Sequence, residues 1–169
     1  MHRWTTTLAL LLVLTGCAGE RTERQEQVPA WQSGTTAGPT APAPLGRAEA
    51  QQRYLRIVQP YNVALEKLED ATKAGKPWRT VRELAAEVAT KNAAHAVGLR
   101  ETSWPVTARA PMAALLAEND VALKHWRRAG RATGPEELMR EIRAAAAHSG
   151  SREATEVRSA LGLPAYRES

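Results

Sequence analysis

The 169 residues include no phenylalanine, a single cysteine and no apolar run long enough to cross a bilayer. Each absence removes a class of protein. One thiol allows no intrachain disulfide, so any folded part is held together by packing. The longest apolar stretch, Leu8 to Leu14, falls well short of the ~20 residues of a transmembrane helix. Segments that alternate Val, Ile or Thr with polar residues, the mark of half-buried strands, are missing too. So are Gly-x-Ser-x-Gly, a phosphate-cradling glycine loop, His-Glu-x-x-His and the Glu-x-x-His pairs of carboxylate di-iron bundles. No set of acid, base and nucleophile assembles from what remains, which predicts a non-enzymatic protein without a cofactor.

What is present points to helices. Hydrophobic residues make up 43% of the chain, and runs such as Ala144 to Ala147 favour closely approaching helices over sheets. The net charge is +5 with a pI near 9.8, and the excess is spread along the chain. Such a balance suits nucleic acid, an anionic membrane surface or a cell-wall polymer. The N-terminus decides among these.

Met1-His2-Arg3 gives a short positive start, and Trp4 to Leu14 is apolar, the layout of a secretory signal. One arginine rather than a pair favours the general export route. Leu14-Thr15-Gly16-Cys17 then matches the lipobox of bacterial lipoproteins: an apolar residue, two small ones that fit a peptidase cleft, and the cysteine. The resemblance implies cleavage before Cys17, thioether lipidation of its sulfur and acylation of the new N-terminus. Two or more acyl chains are what stable anchoring requires. Residues 1–16 are thus expected to be a lipoprotein signal, and the protein to sit on the outer face of the cell membrane, away from nucleic acid.

Residues 17–46 show no hydrophobic periodicity. Alternating charges (Glu20, Arg21, Glu23, Arg24, Glu26) give way to a Thr/Pro/Gly-rich stretch through Pro44, the composition of a disordered tether. Trp31 is the one residue there that a spacer does not need.

From residue 47 to 169 the period becomes 3.6. Tyr54, Ile57, Val58, Tyr61, Leu65 and Leu68 form one stripe ending at Ala74-Gly75. Thr80 and Glu83 propose a capping box for a second helix lined by Val81, Leu84, Ala85, Val88, Ala96 and Leu99. After the turn Thr102-Ser103-Trp104-Pro105, a third carries Met112, Leu115, Leu116, Leu123 and Trp126 and stops near Gly130. Thr133, Pro135 and Glu136 open a fourth, lined by Leu138, Ile142, Ala145, Ala146, Ala154, Val157 and Leu161 and closed by Gly162-Leu163-Pro164. The expectation is an all-α, up-down-up-down four-helix bundle with a thin, alanine-rich core.

Pro60-Tyr61-Asn62, Trp104-Pro105 and the ending Arg158 to Pro164, together with the lipobox, tether and Ala-rich helices, resemble uncharacterised lipoproteins of high-GC Gram-positive, actinobacterial type. The resemblance implies an envelope lipoprotein; it carries no activity and no catalytic residues.

Three features of the helical part bear on function. His95 and His125 fall at opposite ends of neighbouring antiparallel helices, roughly 20 Å apart at ~1.5 Å per residue, which argues against a metal site. Lys124, Arg127, Arg128 and Arg131 cluster around Trp126 at the end of the third helix, where they complement its dipole or meet an anionic lipid or wall polymer. Finally, folding the helices at their turns brings Pro60, Pro111 and Gly150 to one level. Asn62, Asn92 and His95 lie on or beside the buried stripes there, with Tyr61 and Met112 close by. This layer is either a register device of paired amides or a pocket for a small ligand formed by Tyr61, Asn62, Asn92 and His95. The leading functional expectation is a surface-tethered helical module that binds an envelope partner; a small-ligand binding lipoprotein is the alternative.

Overall fold

The computed structural model describes residues 42–165. The expected signal, the expected lipobox from Leu14 to Cys17 and the expected tether up to residue 41 lie outside the described residues. Everything described belongs to one compact unit, Thr40–Ser169, and is all-helical: α1 (Arg47–Lys73), α2 (Trp78–Arg100), α3 (Val106–Ala129), α4 (Pro135–Ala146) and α5 (Ser151–Leu161). No helix among them is long and apolar enough to cross a membrane.

The first three helices follow the apolar stripes. Helix α1 buries Tyr54, Tyr61 and Leu68 and ends where Gly75 turns left-handed at φ 62°, a conformation that costs glycine no steric penalty. Helix α2 runs back along it, since Ile57 meets Gly98, Tyr61 meets His95 and Lys67 pairs with Glu87. Helix α3 reverses again, setting Asn119 beside His95 and Gly130 against the Ala86 backbone. Pro60 and Pro111 each lack a helical N–H donor, yet α1 and α3 continue through them.

Two helix starts differ from expectation. Helix α2 begins at Trp78 behind Pro77, without a side-chain cap. Pro77 has φ −52° and extended ψ, so it launches the helix early and leaves Thr80 inside the first turn rather than at the cap. At α4 the Thr133 N–H and hydroxyl both donate to Glu137 Oε2 at 2.9 Å. Glu137 rather than Glu136 closes that turn, because Gly134 is the capping residue and Pro135 opens the helix.

The predicted fourth helix is two. Helix α4 stops at Ala146, and the chain re-enters a helix only at Ser151 after Gly150 turns left-handed at φ 66°. Gly150 caps the start of α5 and sits against Leu115 and Glu118 of α3, so the stripe expected to form one helix is split by a turn. Ala146, expected inside, is exposed. Helix α3 packs on α2, α4 and α5, whereas α1 touches α5 only slightly.

The core divides in two. One apolar cluster joins Tyr61, Ala64 and Leu68 to Val81, Ala85 and Val88, and to Trp126 and Leu138. The other joins Tyr54, Leu99, Trp104, Met112, Leu115, Val157 and Leu161. Leu45, at the end of the expected tether, already packs on the second cluster and bonds through its N–H to Ser103 O at 2.8 Å. Helix α4 serves the first half and α5 the second.

Candidate functional site

Between the two apolar clusters lies a polar layer. On α2 the first cluster ends at Ala89 and the second resumes at Leu99; Asn92 and His95, both buried, occupy the gap. On α3 Asn119 fills the same gap, buried between Leu115 and Ala122. Tyr61 covers the layer from α1, its ring stacked on His95 at 5.2 Å between centroids. Its hydroxyl accepts a hydrogen bond from Trp126 Nε1 at 3.3 Å.

The layer is incompletely bonded. Asn119 Nδ2 stands 3.4 Å from His95 Nδ1; with the amide donating, the imidazole carries its proton on Nε2. That Nε2 has no partner, and neither has Asn92 Nδ2 or Oδ1. The Asn92 amide adjoins the Tyr61 hydroxyl and moderates the rise that burial imposes on the phenol's pKa, but no pair there meets hydrogen-bond geometry. Burial holds the His95 pKa down at about 4, so this ring is neutral at ordinary pH. An unbonded amide with no exposed surface at all is costly, since each unmade bond forfeits the desolvation of its group.

The four residues expected to line a ligand site therefore separate. Tyr61, Asn92 and His95 come together. Asn62 does not: it lies about 100° around the helix from Tyr61, and it is half-buried at the edge of a different feature. Met112 belongs to the second apolar cluster rather than to the polar layer. Asn119 and Trp126 replace them. Asn119 lay on the Leu115/Ala122 stripe and was readable as a buried amide; the role of Trp126 required the fold.

Asn62 lines an open groove of about 330 Å³ on the outer side of α1, together with Leu55, Val58, Gln59, Val63, Glu66 and Arg158 of α5. It exists because α1 and α5 barely meet. Leu55 and Val63 remain 41% and 40% exposed, so the groove presents apolar side chains among polar ones.

The basic cluster resolves differently. Trp126 is buried and takes no part in it. Arg128 reaches Glu141 at 3.8 Å, while Lys124, Arg127 and Arg131 are exposed. No three metal-capable side chains converge among the described residues. His95 and His125 do have different neighbours: Tyr61 and Asn119 for the first, Glu141 and His148 for the second. Comparison with known proteins yields no similarity to argue from: no family model, curated protein or solved structure matches the chain.

Proposed function

We propose that this protein is a lipoprotein anchored to the outer face of the cell membrane through Cys17, whose helical domain docks an envelope protein in the groove on α1. In this reading α1, α2, α3 and the broken arm α4–α5 act as an up-down-up-down bundle with one side left open. The observation that carries it is the groove itself. Its lining sets the apolar Leu55, Val58 and Val63 among Gln59, Asn62, Glu66 and Arg158, the mixed apolar and polar composition of a recognition surface. A helix laid along α1 is the occupant that fits, its apolar side chains meeting Leu55, Val58 and Val63 and its polar ones Gln59, Asn62, Glu66 and Arg158. No catalytic step is assigned to the domain.

The test has two parts. In cells fed labelled palmitate, the wild-type chain should take up label and Cys17→Ser should not; unlabelled wild type would refute the anchor. A photo-crosslinking residue at Val63 should capture one envelope protein, and Leu55→Glu should abolish the capture while leaving the helical content unchanged. Capture that Leu55→Glu leaves intact, or none at all, would refute the groove.

The Asn92 amide favours a second reading, in which the Tyr61/Asn92/His95/Asn119 layer binds a small polar ligand that completes its missing bonds. Native mass spectrometry of the chain incubated with envelope extract tests it: a reproducible added mass, lost in Asn92→Leu, supports ligand binding, and a bare chain throughout rejects it.

A further inference from the structure

The groove on α1 is ordered along its length. Leu55, Gln59, Val63 and Glu66 recur at helical spacing and so share a face. Gln59, exposed, is the centre of that face, with an exposed apolar residue four positions to either side: Leu55 before it and Val63 after. Beyond this pair the two ends carry opposite charge. Glu66 stands at the end nearer the C-terminus of α1. Arg158 stands at the other end, because its charge acts on Tyr54 and Leu161, three residues further along α5, accepts hydrogen bonds from Gln51 and Arg47. A cation at the Leu55 end of the groove is thus separated from an anion at the Glu66 end by about three helical turns.

Such a surface is complementary to itself. A two-fold axis through Gln59, perpendicular to α1, lays a second α1 antiparallel on the first, the relation that an isologous interface requires. Leu55 then faces the partner's Val63, and Val63 faces the partner's Leu55. Glu66 comes level with the partner's Arg158, and Arg158 with the partner's Glu66. A parallel pairing of two copies fails the same test, since it would set Glu66 against the partner's Glu66. A protein of unrelated sequence has no reason to meet apolar groups placed evenly about one residue with opposite charges beyond them. Arg158 and Glu66 also interact within their own chain, so their contact with a second copy sets register and orientation more than strength, as exposed charge pairs do.

We propose that the helix docked in this groove is α1 of a second copy of this chain, in an antiparallel two-fold dimer centred on Gln59. The inference rests on the docking role given to the groove above and names its partner: in that reading the chain is itself the envelope protein that is docked. A contact confined to about three turns of one helix is small beside the roughly 1,200–2,000 Å² of a stable interface. Association is therefore weak and concentration-dependent, and it is favoured where copies share one membrane surface.

The test uses the full chain in cells, with the photo-crosslinking residue at Val63 and the products sized by mass. The product should have twice the mass of the chain. Glu66→Arg and Arg158→Glu, each expressed alone, place like charges at both ends of the dimer and should cut that product about tenfold. Expressed together, the two variant chains meet with opposite charges at both ends, so the mixed dimer should return; an ion pair within one chain could not be restored that way. Circular dichroism confirms that each purified variant is folded. Independently of any charge change, chains carrying Leu55→Cys and Val63→Cys should be joined to each other by a short thiol-bridging reagent, and neither to its own kind, whose like positions stand roughly 12 Å apart along the helices at ~1.5 Å per residue. A product containing a different protein would overturn the second copy and leave the docking reading standing, whereas no product would overturn both. A dimer product that the single variants leave intact, or that co-expression fails to restore, would overturn the antiparallel pairing, as would cysteine bridging between like positions.

Discussion

Replacing Asn92 by leucine should stabilise the domain. Asn92 has no exposed surface, and both amide atoms lack a partner. An unmade buried hydrogen bond costs about 1–3 kcal/mol per group, so the native amide carries a penalty of several kcal/mol. Leucine has the same branching and heavy-atom count, and burying it gains about 1.5–3 kcal/mol. Against this, its methyl groups are larger than the amide atoms, and overpacking a closed core costs about 1–3 kcal/mol. The neighbouring Tyr61 hydroxyl keeps its bond from Trp126. With both gains taken at their low ends, because the unfolded chain already buries part of the same surface, the balance is a gain of about 0.5–2.5 kcal/mol, which for a domain of this size raises the melting midpoint by roughly 2–10 °C. Thermal unfolding followed by helical circular dichroism, on the ligand-free chain, measures it. Asn92→Ala serves as the control: it removes the amide but opens a cavity, and should gain less than leucine or lose stability. If Asn92→Leu lost more than about 1 kcal/mol while keeping its helix content, the amide would be bonded in solution, and the reasoning from its unpaired atoms would fail.

His95 makes the domain acid-sensitive. Burial holds its pKa at about 4 in the fold, against about 6.5 in an unfolded chain. Above the higher value both states are neutral; between the two, only the unfolded chain takes the proton, so stability falls as pH drops from about 6.5 to 4, by about 3 kcal/mol in all. Denaturant unfolding at several pH values should show this slope, and His95→Leu should flatten it; an equal slope in both chains would refute the assignment. Two glycines should respond to alanine for different reasons. Gly150→Ala forces a side chain into a left-handed φ and against Leu115 Cδ1, which costs about 1–2 kcal/mol. At Gly130 the added carbon would lie 2.9 Å from the Ala86 backbone, so α2 and α3 must move apart. Gly130→Ala should therefore cost at least as much as Gly150→Ala despite its ordinary φ; chemical denaturation of the two variants ranks them.

The helices were largely legible because their signals were local. Period-3.6 stripes marked the inner faces of α1 to α3, and Gly75, Gly130 and Gly162 before Pro164 marked ends. The break between α4 and α5 was not, because Ala154, Val157 and Leu161 continue the apolar stripe across it. Only contact with α3 shows that Gly150 turns the chain. The same distinction governs the site. Asn92 and His95, three residues apart on the buried face of α2, announced a polar layer before any fold was known. Asn62 was misplaced because a stripe drawn on α1 cannot tell which edge its neighbours leave uncovered; α5 does not close over that edge, so Asn62 faces the groove. Glu118 and His125, like Glu141 and His148, stand seven residues apart in the chain, but spacing says nothing of partners until the register of α3 against α4 is set.

That register ties several oddities together. Three helices run the length of the domain, and each changes character at one level: α2 places Asn92 and His95 there, α3 places Asn119, and α1 carries Tyr61 beside Pro60. The fourth arm breaks near the same level, with Gly150 against Leu115 and Glu118. A polar layer of this kind weakens the apolar contact between the two half-cores, and a broken arm removes one of the four rods that would otherwise bridge them. Stiffness across the layer must then come from α1, α2 and α3, and from bonds that span the break from outside. The His125–Glu141 and His148–Glu118 pairs are such bonds, because one fastens α3 to the body of α4 and the other fastens it to the turn beyond. An alanine-rich core with few large side chains has little apolar surface to spare for the same task. The histidine–glutamate pairs therefore hold the broken arm to α3 across the level where the two half-cores meet least.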